Sequence, residues 1–292
     1  MRGSLGRTMR EPPAPGPVAQ RIRLGATLRR LRESRGITAQ RAAQEIRGSD
    51  SKISRIELGR HAAREIDVAD LLTLYGVTDP DERDALLTLA SQALAPPWWR
   101  PYTDLLPPWF QAYLGVEEAA ESVRTYDTHF VPGLLQTAEY AAGLLEPAEF
   151  NAGQVARLLE VRARRVERFA AGGWRIAAVI DEAVLRRPVG GVPAFAAQLE
   201  HLREVTGWPG VTIRIRPLAT GAPLSPAGFT ILRFAGGALP DAVYSEQLTT
   251  ASYLDRPADV ARYAVAMDLL ESSSQPGDQT ATIVAAALAK LK

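Results

Sequence analysis

Apolar positions recur along this chain with two different periods, and the change between them divides it. Up to about residue 95 the spacing is helical. Leu24, Leu28 and Leu31 face inward on a first helix over 21–35, with Arg29, Arg30, Arg32 and Arg35 on its outer, solvated side. Ala39, Ala42, Ala43 and Ile46 fall at i, i+3, i+4 and i+7, one buried stripe on a short helix that Thr38 can cap. A tight turn at Arg47-Gly48 follows. Ser49 then caps a third helix, Asp50 occupies its first turn where the helix dipole favours a negative charge, and Gly59 stops it. Val68, Leu71, Leu72 and Tyr75 repeat the stripe. Asp79-Pro80-Asp81-Glu82 supplies a cap, a first-turn proline and a reciprocal glutamate, which opens a fifth helix buried through Leu86, Leu89, Ala90 and Ala93.

Prolines and aromatic residues then break the pattern. Pro96-Pro97-Trp98-Trp99-Arg100-Pro101-Tyr102 and Pro107-Pro108-Trp109-Phe110 make a stiff connector over 96–110, whose rings are expected to dock against a second domain rather than hold a ligand. That domain, over 111–292, mixes the two periods. Helices are predicted at about 116–126, 133–145 and 151–170; in the last, Val155, Leu158, Leu159, Val166 and Phe169 face inward, and Arg157, Arg164, Arg165 and Arg168 outward. Ile176 to Ile180, Val211 to Pro217, Phe229 to Phe234 and Ala242 to Glu246 read as strands, with a helix near 193–206. Thr212-Ile213-Arg214-Ile215-Arg216 alternates, which predicts a sheet with one covered and one wet face. Two helices close the chain, one after Pro257 with Met267 and Leu270 inward, one carrying Val284, Ala287, Leu288 and Leu291.

The expected fold is therefore an all-α, five-helix N-terminal domain over 21–95 and a C-terminal α+β domain with several helices and a small, mainly antiparallel sheet. Residues 1–20, rich in Pro, Gly and Arg without periodicity, read as a disordered arm in which Met9 is a second candidate start.

The second and third helices, joined by a turn, form a helix-turn-helix. Counting about 100° per residue from Ile53 and Ile56 places Ser51 and Arg55 opposite the buried side, with Lys52 and Ser54 beside them. No carboxylate stands on that face. A helix entering the major groove needs this arrangement: short hydroxyls for close approach, a guanidinium that can fork onto a guanine edge, and no anion facing phosphate. Arg55 is expected to read bases, and Lys52 to contact a base or a phosphate. Glu57 lies nearer the buried side and is expected to pair within the domain.

Charge agrees with this placement. The net charge of +1 conceals 15 Lys and Arg against 5 Asp and Glu through Arg64, and 19 against 28 beyond it. An arginine-rich composition explains Arg over Lys, but not an excess confined to the helix-turn-helix end. The absence of cysteine excludes disulfides, thiolate metal sites and a cysteine nucleophile, and fits a reducing cytoplasm. The N-terminus has no apolar core of a signal peptide and no run of about 18 apolar residues occurs, so a cytoplasmic, nucleoid-associated protein without a membrane span is expected. His61, His129 and His201 lack metal-ligand spacing, and nothing resembles a phosphate loop or a nucleophile elbow. Asp181-Glu182 at a strand end reads as an acid/base pair or, more simply, as residues capping the next helix. No catalytic residue, metal or cofactor is expected.

Ser49-Asp50-Ser51-Lys52-Ile53-Ser54-Arg55-Ile56-Glu57, preceded by the Thr38 to Ile46 helix, resembles the helix-turn-helix of the XRE family, the phage-repressor and Cro type. From about Leu24 onward the chain is similar to a group of XRE regulators from high-GC Gram-positive bacteria with a second domain of uncharacterised function, whose motif His129-Phe130-Val131-Pro132-Gly133-Leu134-Leu135-Gln136-Thr137 matches. The resemblance implies a homodimer on a double-stranded DNA operator, touching it through Thr38, Gln40, Arg41, Ser49, Ser51, Lys52, Ser54, Arg55 and Arg60. Members of the group are often encoded beside a small acidic protein and described as antitoxin-like, which implies such a partner. The chain departs from the family at Ala39, where a phosphate-clamping Gln is usual, at Arg47, where the turn usually has Gly, and at Leu58, where a polar residue is common. The expected function is a sequence-specific transcriptional regulator controlled through its C-terminal domain by a partner protein or small ligand. The alternative is an enzyme tethered to DNA.

Overall fold

A computed structural model describes residues 16–148, 150–171, 175–221, 225, 227–234 and 240–291. The expected disordered arm lies outside the described residues up to residue 15. From Pro17 the chain is already helical, with proline at the position where a missing N–H costs nothing.

Five helices form the N-terminal domain: α1 (Pro17–Ser34), α2 (Ala39–Glu45), α3 (Asp50–Glu57), α4 (Glu65–Leu74) and α5 (Pro80–Leu94). Leu24, Leu28, Ala42, Ala43, Ile53, Ile56, Val68, Leu71, Leu72 and Tyr75 close one core, as their spacing predicts. A methyl at Gly25 would stand 2.4 Å from the Ile56 carbonyl oxygen, so α1 rests on the end of α3 more closely than any side chain would permit. Arg32, expected in solvent, instead donates to both oxygens of Glu57 at 2.6 and 2.9 Å and to the Ile37 carbonyl at 2.9 Å. It is the internal partner that Glu57 was expected to have.

The turn after α2 is built as its residues demand, at a cost. Arg47 has φ 50°, and its N–H and that of Gly48 return to the carbonyls of Gln44 and Ala43 at 3.2 and 2.8 Å. This is the paired C-terminal motif that normally takes glycine at the Arg47 position. Arg47→Gly is expected to raise stability by roughly 0.5–1 kcal/mol, the left-handed penalty less the added chain entropy, read as a higher urea midpoint. An unchanged or lower midpoint would mean that the arginine side chain repays its strain.

In the C-terminal domain the described helices are α6 (Pro108–Ala119), α7 (Ala138–Leu145), α8 (Ala152–Ala171), α9 (Gly191–Val205), α10 (Pro257–Ser272) and α11 (Thr280–Ala289). Among the described residues six strands form one sheet: β1 (Ser122–Asp127), β2 (Arg175–Asp181), β3 (Val211–Arg216), β4 (Phe229–Arg233), β5 (Ala242–Glu246) and β6 (Ala251–Leu254), in the order β3-β2-β1-β4-β5-β6. Two expectations fail here. The helix predicted over 116–126 ends at Ala119, and 122–127 is the strand β1, where Val123, Thr125 and Tyr126 are good strand formers gripped between β2 and β4. The sheet is mixed rather than mainly antiparallel, because β1, β2 and β3 run parallel.

The parallel half explains a third difference. Parallel strands joined through helices are covered on both faces. Ile176, Ala178 and Ile180 pack with Tyr140, Phe195 and Leu199 on one side, while Val179, Tyr126 and Ile231 pack with Met267 and Leu270 of α10 on the other. Arg216, placed on a wet face by alternation, is buried, 3.5 Å from Asp181. Arg165 on α8 likewise turns inward, forming a two-point ion pair with Glu117 at 2.8 Å on each arm. The side chain of Phe169, expected inward on the same helix, lies outside the described residues.

Asp127 ends β1. Burial pushes its carboxyl up from the ordinary 3.8 to about 6, with the nearby Glu246 adding to the shift and a 2.7 Å hydrogen bond from Thr125 opposing it. A carboxyl whose folded value lies above its unfolded value contributes stability fully at low pH and loses it as pH rises through about 6. Asp127→Asn is expected to flatten the fall of Tm between about pH 4 and 6. The same slope in both proteins would contradict the assignment.

The connector docks as expected, and it also draws in the N-terminal domain. Trp99, Tyr102, Leu106, Leu114 and Val161 form a separate buried cluster that receives Val18 of α1. A methyl at Gly115 would stand 2.5 Å from Val18, so α1 and α6 cross in close contact.

Candidate nucleic-acid interface

Thr38 and Ser49 set the two helices of the motif. The Thr38 hydroxyl accepts from the Arg41 N–H at 3.1 Å and that of Ser49 from the Lys52 N–H at 3.2 Å, so each satisfies an otherwise orphaned donor. Ile53 and Ile56 are buried to within 2%. That anchoring leaves Gln40, Arg41, Ser51, Ser54 and Arg55 exposed on α2 and α3. Arg41 pairs with Glu45 one turn on, at 3.0 Å. Arg55 reaches only the Ser51 carbonyl, at 3.3 Å, and makes no ion pair among the described residues.

Two of the expected contacts are engaged elsewhere. The Lys52 ammonium is 2.9 Å from Asp67, whose other oxygen takes Arg64 at 2.8 Å. Burial works against the charge of Asp67, yet hydrogen bonds from Arg64 and Lys52 hold its carboxyl below the usual range. This group braces α3 against α4. Arg60 ion-pairs with Asp255 of the C-terminal domain.

Sequence reasoning passed over Gln44 and Arg47, both exposed beside the turn between the two helices, Arg47 without an ion pair among the described residues. Their place between two capped helices was the available sign. Asp67 carried no sign at all: an acidic residue in the first turn of a helix is ordinarily a dipole partner. The candidate chemical residues of the C-terminal domain serve locally. Asp181 accepts from the Ala183 N–H at 3.0 Å, and Glu182 from the Leu218 N–H at 3.1 Å. His129 is exposed beside Thr128, and His201 packs edge-on to Trp208, where burial lowers its pKa. Among the described residues no cluster of three or more His, Asp or Glu has the geometry to hold a metal ion, and no helix is long and apolar enough to cross a membrane.

Residues 23–86 match a helix-turn-helix domain, which supports a DNA-binding regulator of the helix-turn-helix class. Residues 110–286 match the family described as a domain of unknown function (DUF5753); the match covers more than half of the chain, and the chain belongs to that family. No curated protein and no solved structure matches it.

Proposed function

We propose that this protein is an XRE-type transcriptional regulator that binds an operator as a homodimer, α2 across the backbone and α3 in the major groove. The observation that carries this reading is the face of α3: Ser51, Ser54 and Arg55 exposed, no carboxylate from Ser51 through Ile56, and Ile53 and Ile56 holding the helix from behind. One such domain reads only a half-site, too little to pick an operator from a genome's competing sites, so two must be held about 34 Å apart. The C-terminal domain is assigned the regulatory input, from a small acidic partner protein in an antitoxin-like arrangement or from a small ligand, and no catalysis. The local roles of Asp181, Glu182 and His201 favour this over an enzyme tethered to DNA.

Arg55→Ala is expected to cost about 1–3 kcal/mol of operator binding and to relax preference at one base position. Equilibrium titration against a set of single-base operator variants reads both. Unchanged affinity with unchanged preference would overturn the assignment.

A further inference from the structure

Between the two domains lies a cavity of about 670 Å³, within the range of sites that enclose small organic molecules. The N-terminal domain lines it with Arg21 and Ile22 of α1 and with Leu58, Gly59 and Arg60 directly after α3. The C-terminal domain adds Ala112 and Val116 of α6, Tyr253 of β6 and Asp255. Leu58, an apolar residue where the family has a polar one, thereby finds its place as part of an apolar wall.

Charge on that wall is unbalanced. Arg60 and Asp255 neutralise each other across the domain boundary. Arg21 has no such partner: it makes no ion pair among the described residues, its Nε is buried without a hydrogen bond, and burial lowers its pKa. Arg21 is half-buried, with its Nε out of water, and a guanidinium in that setting without a counter-ion is under-compensated; an anion placed beside it supplies the missing partner. The rest of the lining is largely apolar and includes the aromatic residues Trp99, Phe234 and Tyr253, with Gln111 as a further polar group, a surface that suits an aromatic body.

We propose that this cavity binds a small aromatic organic anion, held through Arg21, and that its occupancy changes operator affinity. The regulatory half rests on the reading of the chain as a DNA-binding regulator. The physical link is short. A methyl at Gly59 would stand 2.7 Å from Ile22, so the end of α3 is seated on α1, and both helix segments form cavity wall. A ligand wedged against them biases the pose of the reading helix relative to the C-terminal domain, and differential affinity for two poses is all that regulation requires.

The test uses the full chain and 8-anilinonaphthalene-1-sulfonate as probe, with the uncharged N-phenyl-1-naphthylamine as its control. Without DNA, the sulfonate is expected to bind saturably at one site per chain. Arg21→Gln is expected to weaken it at least about tenfold while leaving the neutral control unchanged. Ala112→Trp, at a solvent-accessible position of the wall, is expected to fill the space and abolish both, circular dichroism showing the fold intact. Saturating probe is expected to shift operator affinity at least about fivefold in the unaltered protein and not in Ala112→Trp. No saturable site, or one indifferent to both substitutions, would overturn the proposal; unshifted operator affinity would overturn its regulatory half. Because the probe titration contains no DNA, its failure leaves the operator-binding reading standing, and failure of that reading appears instead in the Arg55→Ala titration.

Discussion

Raising salt from 50 to 200 mM is expected to weaken operator binding by roughly 10³- to 10⁵-fold, the consequence of a dimer making about 6 to 10 phosphate contacts. The expectation comes from where the cations remain available. Of the surplus before Arg64, Arg29, Arg32 and Lys52 are tied to Glu33, Glu57 and Asp67 within the domain, and Arg60 to Asp255. Arg30, Arg35, Arg47 and Arg55 make no ion pair among the described residues and are exposed, so their charge meets phosphate without first breaking an ion pair within the protein. Counter-ions released from DNA by such contacts make the logarithm of affinity fall linearly with the logarithm of salt. A nearly flat titration would mean that the charge asymmetry is compositional and that the surface does not face a phosphate backbone.

Glu117→Ala is expected to destabilise the chain by about 3–5 kcal/mol. Its carboxylate takes both arms of Arg165, and the two side chains are only 3% and 7% exposed. Phe110 and Tyr113 lie against the guanidinium at 5.4 and 5.7 Å, an apolar setting that offers no replacement anion. Removing the carboxylate leaves a buried, unpaired charge, which costs more than the pair itself contributes. Replacing both partners, as in Glu117→Leu with Arg165→Met, is expected to restore most of the loss. Urea unfolding measures both; a single-variant loss under about 1 kcal/mol would show that water reaches Arg165. Because α6 also carries Gly115 against Val18, loosening this pair is expected to loosen the seat of the N-terminal domain as well.

The N-terminal domain was readable because each of its helices announces itself locally. Thr38, Ser49 and Asp79 cap where their spacing says they should, and the stripes through Ile53, Ile56, Leu71 and Leu72 form the observed core. What failed depended on partners far along the chain. Nothing within Ser122–Asp127 reveals that β2 and β4 will lie on either side of it, and alternation in β3 could not foresee Asp181 and Gly221 waiting for Arg216. The candidate interface divides in the same way. The outward direction of Ser51 and Arg55 follows from helical geometry alone, whereas the engagement of Lys52 by Asp67 and of Arg60 by Asp255 comes from long-range packing. Long charged side chains such as Arg32 and Arg165 are ambiguous on a helical wheel, since their stems pack on apolar surface wherever the head ends.

The most direct test of the central claim is selection of binding sites by the full-length protein from a pool of random duplexes at about 100 mM salt, followed by sequencing. An operator-binding dimer predicts enrichment of an inverted repeat whose half-sites are centred about one helical turn, 10–10.5 base pairs, or a multiple of it, apart. Recovery of no shared sequence after successive rounds, with binding no tighter than to the starting pool, would contradict the account.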